Sequence, residues 1–235
     1  MYSEMINRLS KDPIRNISVL GFFENYPLEK VFQVGDTFLL LGESDHLWGY
    51  ISSHSSSELT KIFEKYQIDT RYFASVEDWM KPIISEDSEV EWELTTLRYV
   101  LPDNHEIVPS TRKTCALDTS LVDYIFNHSD YQAFTSREYI KDQIERGVSA
   151  GIIESNALVA WGLTHDDGAL GFLHVLPEFR GKGYGKAITS SLIYEKRKEN
   201  KPVFLNVEPN NINSINLVNK MGFVFDRKIS WVKIR

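Results

Sequence analysis

The 235-residue sequence predicts a mixed α/β fold, and three observations lead to that prediction. Short apolar runs recur along the chain and are bounded by turn residues, which is typical of β-strands. Capped stretches with apolar residues at helical spacing lie between these runs. A glycine-rich loop, Gly181 to Gly185, joins one strand pattern to a helix pattern. At this length the chain forms one large domain or two small ones.

The first half is expected to begin with a short helix followed by a hairpin. Its two strands, 30–34 and 37–41, flank a Gly35-Asp36 turn, and residues 47–51 form a third strand. The stretch from Ser55 to Tyr66 is predicted to be a helix, because a serine can cap its start and its apolar residues share one face.

The end of the first half is more polar. A short helix is predicted over Val76 to Met80, with Pro82 ending it. A strongly acidic segment, 85–93, precedes a strand over Thr95 to Leu101. The turn and proline residues of 102–111 form the candidate linker.

The domain boundary is therefore placed near residue 110, which gives domains 1–110 and 111–235. The second half alternates helices and strands over well-defined stretches. The predicted helices cover 120–127, 136–145, 184–198 and 213–221, and the predicted strands cover 149–155, 157–164, 169–176, 202–208, 223–225 and 230–234.

Composition and charge restrict the class of protein. Apolar residues at 42% and charged residues at 25% indicate a globular chain with a sizeable core, and they exclude disordered and collagen-like chains. The formal net charge of −7 argues against a nucleic-acid partner. Residues 1–110 carry 9 Lys/Arg and 19 Asp/Glu, whereas residues 111–235 carry 17 and 14. An acidic half suits a cationic amine and a mildly basic half suits a small anion, although solvated charged surfaces are the simpler explanation.

The cellular compartment is expected to be the cytoplasm. Cys115 is the single cysteine, so no disulfide can form within the chain, and a reducing compartment fits. The first residues lack the basic and apolar regions of a signal peptide. The apolar run Phe38 to Leu41 is far too short to span a bilayer, so no membrane partner is expected.

The glycine loop carries the main chemical signal. Glycines at 181, 183 and 185 lie between a strand that ends near Pro177 and an amphipathic helix. Glycine permits positive φ and a close approach of the backbone to a ligand. The amides of the loop and of the first helical turn would then converge at the positive end of the helix dipole, which is a cradle for a pyrophosphate.

Two other phosphate-binding loops do not fit this spacing. A Walker A loop needs four residues before its Gly-Lys-Ser/Thr, whereas three separate Gly181 from Gly185, and Ala187 follows Lys186. The dinucleotide fingerprint needs Gly-x-Gly-x-x-Gly in a parallel βαβ unit, whereas the spacing here is Gly-x-Gly-x-Gly after hairpin-like strands.

The segment from Arg180 to Gly185 resembles the signature of the GNAT superfamily of acyl-CoA-dependent N-acyltransferases, Arg/Gln-x-x-Gly-x-Gly/Ala. A second block, Leu205 to Asn211 followed by Lys220 to Phe223, has the family spacing. The resemblance covers about residues 112–235 and implies a central mixed, mostly antiparallel sheet flanked by helices. The region from Leu158 to Arg180 is similar to the glycine N-acyltransferase-like group. Residues 1–110 would then be a diverged α/β domain, with a degenerate GNAT-like domain as one interpretation.

The resemblance implies acetyl-CoA, or another acyl-CoA, as co-substrate and a small amine or amino acid as acceptor. The acyl-CoA would lie in a V-shaped opening between strands 169–176 and 202–208. No metal is implied. The residues that would bind the acyl-CoA are Leu173, His174, Val175, Arg180, Gly181, Lys182, Gly183, Tyr184, Gly185, Lys186, Asn206 and Asn211. Asn211 would either touch the pantetheine or position the following helix.

The catalytic groups are harder to assign. Val218 stands where many relatives have a tyrosine acid, and Ala169 and Gly171 stand where a base is common. Glu208 and His174 are the remaining catalytic candidates, although a solvated carboxylate and a structural histidine are the simpler explanations.

Two function hypotheses follow from the sequence. The first is an N-acyltransferase in which the amine attacks the thioester directly. The alternative is a CoA-binding sensor or scaffold without catalysis.

His165 and Asp166 lie in a turn, where capping and solvation explain them. The oligomeric state does not follow from the sequence.

Overall fold

The computed structural model describes residues 2–85, 88–108, 110–129 and 131–235. In these ranges the chain forms eight α-helices and ten β-strands. The helices are α1 (Tyr2–Leu9), α2 (Ile17–Asn25), α3 (Ser56–Lys65), α4 (Lys81–Ile84), α5 (Val122–Asn127), α6 (Arg137–Arg146), α7 (Tyr184–Lys198) and α8 (Ile212–Lys220). The strands are β1 (Lys30–Val34), β2 (Thr37–Glu43), β3 (Leu47–Ser52), β4 (Tyr72–Val76), β5 (Val90–Leu101), β6 (Ser149–Glu154), β7 (Ala157–Thr164), β8 (Leu170–Val175), β9 (Val203–Val207) and β10 (Val224–Ile234).

The chain divides into two compact units. The first comprises Met1–Arg98 and Asp226–Arg235, and the second comprises Tyr99–Phe225. This division differs from the boundary near residue 110, because most of β10 belongs to the first unit, where it pairs with β4. Pro109 of the candidate linker lies outside the described residues, as do two residues of the acidic segment 85–93. The predicted domains 1–110 and 111–235 stay a prediction.

The first unit is built on strands β1 to β4 with β10. The pairs β1–β2 and β2–β3 are antiparallel, β4 runs parallel to β3, and β10 is antiparallel to β4. Alternate residues of β2 face opposite sides of this sheet. Phe38 and Leu40 pack with residues of α1 and α2, whereas Leu39 and Leu41 pack with residues of α3 and α4.

The predicted helix over Val76 to Met80 is wrong. Val76 ends β4, and the helix of this region, α4, begins after Met80. Pro82 lies in the first turn of α4, where amides have no acceptor within the helix, so the missing N–H costs nothing. The proline therefore opens this helix instead of ending one. Except for Phe223, the residues of the predicted strands 223–225 and 230–234 are parts of a single strand, β10.

The second unit contains the antiparallel pairs β6–β7 and β7–β8, with β9 parallel to β8. Helix α7 covers one face of this sheet, since Ile188 and Leu192 pack over Gly162 of β7. Helices α5 and α6 cover the other face, where Trp161 of β7 joins a buried cluster with Ile125 and Ile140.

Both units follow one order of elements. Each unit begins with two helices and three antiparallel strands. It continues with a helix, then a strand that is parallel to the third strand, and then a further helix. The sheet is mixed and mostly antiparallel and is flanked by helices, as predicted. Within the described ranges, no helix combines the length and the apolar character needed to cross a bilayer.

Candidate functional site

The place expected for the acyl-CoA lies between β8 and β9 in the second unit. These two strands are parallel, with Leu170 paired with Leu205. Just past this point β8 is irregular: Phe172 has a φ of +50°, and the pairing with β7 shifts between Gly171 and His174. Such a bulge leaves backbone groups unpaired, and bulges of this kind are common beside active sites. The bulge therefore lies on β8, in its pairing with β7, just before the glycine loop.

The glycine loop lies between the end of β8 and the start of α7. Gly181 and Gly183 have φ values of +73° and +83°, which other residues rarely adopt. A Cβ atom at either position would meet no atom within 4 Å, so the space in front of the loop is open. The N–H of Ala187 donates to the carbonyl of Gly183 as the first bond of the helix. The amides of residues 184–186 come before this first bond and therefore have no acceptor within the helix. They lie at the positive end of a 15-residue helix.

Basic side chains surround this loop. Arg180, Lys182 and Lys186 are all exposed. The Nε of Arg180 donates to the carbonyl oxygen of Val175 at 2.9 Å, and the Nζ of Lys182 donates to that of Glu178 at 2.8 Å. The loop thus combines converging amides with a positive surface, which is suited to an anion.

Two residues that the sequence analysis did not assign, Glu154 and Arg112, contact Tyr184 at the start of α7. Tyr184 is buried, and its hydroxyl donates to the Glu154 carboxylate, a hydrogen bond that raises the pKa of Tyr184. The guanidinium of Arg112 lies 4.0 Å above the Tyr184 ring and donates to the carbonyl of Lys182 at 3.0 Å. The side chain of Tyr184 therefore contacts β6 and Arg112, and its backbone amide lies in the first turn of α7.

The β9 side of the opening contributes two asparagines. Asn206 follows Leu205, and its Oδ1 is buried without a hydrogen-bond partner. An unpaired buried acceptor costs about 1–3 kcal/mol in the free protein. The Oδ1 of Asn211 accepts from the N–H of Ser214 at 3.1 Å and caps α8. Of the two roles expected for Asn211, the structure contains the positioning of α8.

The two catalytic candidates make separate contacts. Glu208, just beyond β9, accepts a hydrogen bond at 2.6 Å from the hydroxyl of Tyr131. The His174 ring stacks on the Trp161 ring, with centroids 4.5 Å apart. Tyr131 was missed because it lies 77 residues before Glu208, and no local pattern connects the two. Val218 is buried in α8, so the place of the expected tyrosine holds a core residue.

The side chains of Leu173 and Val175 point towards α7. Carbon atoms of both lie 3.9 Å from the position that a Cβ at Gly185 would take, and Leu217 of α8 lies 3.5 Å from it. A Cβ atom at 185 would make ordinary van der Waals contacts with these side chains, so the first turn of α7 packs against apolar residues of β8 and α8.

Comparisons with known proteins support the fold described above. The family model described as FR47-like protein matches residues 147–232. A crystal structure of a Drosophila protein has a TM-score of 0.83 at 15% identity, covering 100% of this chain and 97% of its own. A GNAT-family protein from Novosphingobium aromaticivorans has a TM-score of 0.57 at 13% identity, covering 87% and 90%. A GCN5-related N-acetyltransferase from Kribbella flavida has a TM-score of 0.59 at 11% identity, covering 94% and 97%.

The chain has the GNAT fold. The fold named by the sequence resemblance is thereby confirmed. No protein of curated function matches the chain in sequence. The similarity to the glycine N-acyltransferase-like group stays a prediction.

Proposed function

We propose that this protein is an N-acyltransferase that moves an acyl group from acetyl-CoA, or another acyl-CoA, to the amine of a small molecule or amino acid. One observation carries the proposal. The bulged strand β8, which pairs with β9 at Leu170, leads directly into a glycine loop and the amides that start α7. Exposed backbone for a thioester arm and a cradle for its pyrophosphate thus lie at the two ends of one short segment.

Two features of the site fit an acyl-CoA. The open space before Gly181 and Gly183 leaves room for phosphate oxygens at backbone distance. The unpaired Oδ1 of Asn206 can accept a hydrogen bond from a pantetheine amide. The loop residues 180–186 would hold the pyrophosphate, and the backbone of 173–175 would pair with the pantetheine arm and polarise the thioester carbonyl. Asn211 would act by holding α8.

The chemistry is a direct transfer. The amine loses a proton and its lone pair attacks the thioester carbon; the N–C bond forms, and the C–S bond breaks. Sulfur leaves with the bonding electrons and takes up a second proton from the nitrogen, so the products are an amide, a thiol and one released proton. The protein must align the two reactants and accept the first proton. Glu208 and His174 remain candidates for proton transfer.

The acceptor is proposed to be a cationic amine, which fits the excess of acidic residues in 1–110 and the carboxylate of Glu208 at the end of β9. An amino acid, as in the glycine N-acyltransferase-like group, is the finer proposal. A cytoplasmic location and the absence of nucleic-acid and membrane partners also belong to this proposal.

A second candidate function is a CoA-binding sensor without catalysis. Buried Val218 in the place of the expected tyrosine favours it, because the thiolate then lacks that source of a proton. Both functions require the same cradle, so they differ only in turnover.

The test combines calorimetric binding of acetyl-CoA with a thiol-release assay over a panel of amines and amino acids. The acyltransferase predicts binding together with thiol release that depends on one class of amine. Binding without release on any amine would favour the sensor. Absence of binding for acetyl-CoA, longer acyl-CoAs and CoA itself would overturn both functions.

A further inference from the structure

A short segment before α5 lies between β6 and α7. The N–H of Cys115 donates to the carbonyl of Gly151 in β6 at 2.9 Å, and the N–H of Gly151 donates back at 2.7 Å. One residue earlier, the hydroxyls of Thr114 and Ser191 of α7 share a hydrogen bond at 2.9 Å. The backbone of this segment is therefore held on both sides, two residues after Arg112.

The guanidinium of Arg112 makes three contacts at the glycine loop. Its Nη2 donates to the carbonyl of Lys182 at 3.0 Å, and its Cζ lies 4.0 Å from the centroid of the Tyr184 ring. Its Nη1 lies 3.5 Å from the carboxylate of Glu154, which also accepts a hydrogen bond from the Tyr184 hydroxyl. The cation, the ring and the carboxylate each contact the other two, so the guanidinium plane is set in the free protein.

These contacts contribute little to the stability of the unit. The side chains of Arg112 and Glu154 are 38% and 41% exposed, so water and salt screen their ion pair. A cation on an aromatic ring at such an exposed site adds only a small stabilisation. A planar guanidinium, in contrast, is well suited to hold a hydrogen-bond partner in a fixed direction. The arrangement is therefore better suited to orient the Lys182 carbonyl than to stabilise the fold.

The hydrogen bond to Lys182 also sets the direction of the next amide. The peptide group is planar and trans, so the Lys182 carbonyl and the N–H of Gly183 point in opposite directions. With the carbonyl directed at Arg112, this N–H is directed away from it. Gly183 is exposed, and a Cβ there would meet no atom within 4 Å. Among the described residues its N–H has no acceptor, so it is available to a ligand oxygen.

We propose that Arg112 is a positioning residue for the pyrophosphate of the acyl-CoA, because by holding the Lys182 carbonyl it turns the N–H of Gly183 towards a phosphate oxygen. Glu154 and the Tyr184 ring hold the guanidinium in the required plane. This inference rests on the acyl-CoA site of the function proposed above. Arg112 itself needs no contact with the ligand. The oriented amide donates to a charged oxygen, and such a hydrogen bond is stronger than one between neutral groups.

The test compares acetyl-CoA binding to the wild type, Arg112→Lys and Arg112→Gln by calorimetry. Lysine keeps the positive charge without the planar fork, and glutamine lacks the charge. Loss of one oriented amide should weaken acetyl-CoA binding by about tenfold or more in both variants. S-acetylpantetheine has no phosphate, so its affinity should stay unchanged. The KM for acetyl-CoA should rise while kcat stays at the wild-type value, whereas a damaged fold would change both.

Acetyl-dephospho-CoA distinguishes orientation from direct contact. This compound keeps the pyrophosphate and lacks the 3′-phosphate of CoA. A positioning role predicts that Arg112→Lys weakens the binding of acetyl-CoA and of acetyl-dephospho-CoA by the same factor. If the effect of Arg112→Lys disappears with acetyl-dephospho-CoA, the guanidinium contacts the 3′-phosphate directly and the positioning role is overturned.

The matched control is Arg137→Lys. Arg137 of α6 also has its Cζ close to an aromatic ring, 4.1 Å from the centroid of Phe126, and its Nε donates to the carboxylate of Asp123. The substitution thus removes the same kinds of contact at α5, and it should leave the acetyl-CoA affinity and KM at the wild-type values. Wild-type affinity in Arg112→Lys would overturn the inference and leave the proposed function intact. Absence of binding in the wild type would overturn both.

A second readout observes the amide itself. The chain has 13 glycines, so protein labelled with ¹⁵N-glycine gives a small set of amide signals, and the signal lost in Gly183→Ala identifies Gly183. Saturating CoA should move this signal downfield in the wild type, as expected for an amide that donates to a phosphate oxygen. The movement should be smaller in Arg112→Lys. An equal movement in the two proteins would show that Arg112 does not orient this amide.

Discussion

Gly183 combines a backbone conformation that other residues rarely adopt with open space at its Cβ position. Any substitution there costs about 1–2 kcal/mol of backbone strain, whatever its side chain. Gly183→Ala and Gly183→Glu therefore share the strain and differ in one carboxylate, which would face the amides that start α7. Calorimetry should give acetyl-CoA a dissociation constant at least about tenfold weaker for Gly183→Glu than for Gly183→Ala. Equal constants would contradict the pyrophosphate cradle.

Substitution of Asn206 is expected to lower the affinity for acetyl-CoA without lowering the stability of the protein. Its buried, unpaired Oδ1 destabilises the free protein and becomes useful only when a ligand donates to it. Asn206→Leu keeps a similar volume and removes the orphan acceptor. Urea unfolding should give a free energy of unfolding equal to or above that of the wild type. The affinity for acetyl-CoA should fall by about 1–3 kcal/mol. Lower stability with unchanged affinity would mean that Asn206 serves only the fold.

At the level of single residues, the sequence predicts the part of the site that is contiguous. The cradle residues 180–186 follow one another, so their spacing alone indicates an anion site. The contacts of Arg112 with the loop and of Tyr131 with Glu208 join residues 70 and 77 positions apart. The ring of His165 reaches Gly171 only because a buried turn folds it back. Such positions depend on tertiary packing and leave no local pattern.

At the scale of elements, the predictions of helices and strands are correct where the sequence has a local signal. Helices α3 and α6 were predicted correctly because Ser55 and Ser136 cap them, and both side chains accept a hydrogen bond from an amide of the first turn. Strand β5 begins at Val90, five residues before the predicted start, inside the acidic segment. Its carboxylates at Glu91 and Glu93 are paired with Lys233 and Lys81, which a reading of the segment alone cannot reveal.

Glu93 ties β5 to α4 and β10 within the first unit. Burial alone would raise its pKa, but hydrogen bonds from Lys81, Thr95 and Ser230 lower the pKa to about 2. A carboxyl group with a lowered pKa stabilises the fold above its unfolded value, near 4.5, and this stabilisation is lost as the pH falls towards 2. Glu93→Gln should therefore be less stable than wild type at pH 7, and the difference should shrink between about pH 5 and pH 2.

Urea unfolding curves at pH 7, 5 and 3 would measure this difference. Asp118→Asn is a suitable comparison, because the Asp118 carboxyl is fully exposed and caps a short 3₁₀ turn of the second unit. Its effect on stability should be small at every pH. A difference between Glu93→Gln and wild type that stays constant from pH 7 to pH 3 would show that the hydrogen bonds do not depend on the charge.

At the scale of the whole molecule, the two units share one order of elements but differ at the equivalent loop. In the first unit the loop between β3 and α3, residues 53–55, contains no glycine. The hydroxyl of Ser55 accepts from the N–H of Glu58 and occupies the start of α3. The Glu58 carboxylate in this first turn accepts from the N–H of Asp36 at 3.1 Å and from the hydroxyl of Thr37 at 2.9 Å. This helix start is filled by its own side chains and carries a negative charge.

If the protein binds acetyl-CoA as proposed, we expect one site per chain. The excess of acidic residues in 1–110 adds to the charge of Glu58 and opposes a pyrophosphate there. Calorimetric titration should therefore give one site, and Gly183→Glu should remove all of the heat instead of half. Glu58→Gln, which removes the carboxylate charge from the first unit, should leave both the stoichiometry and the affinity unchanged. Two sites in the wild type, or one site that survives in Gly183→Glu, would show that the first unit also binds the ligand. The shared order of elements would then reflect two functional sites, and the interpretation of the first domain as diverged would be wrong.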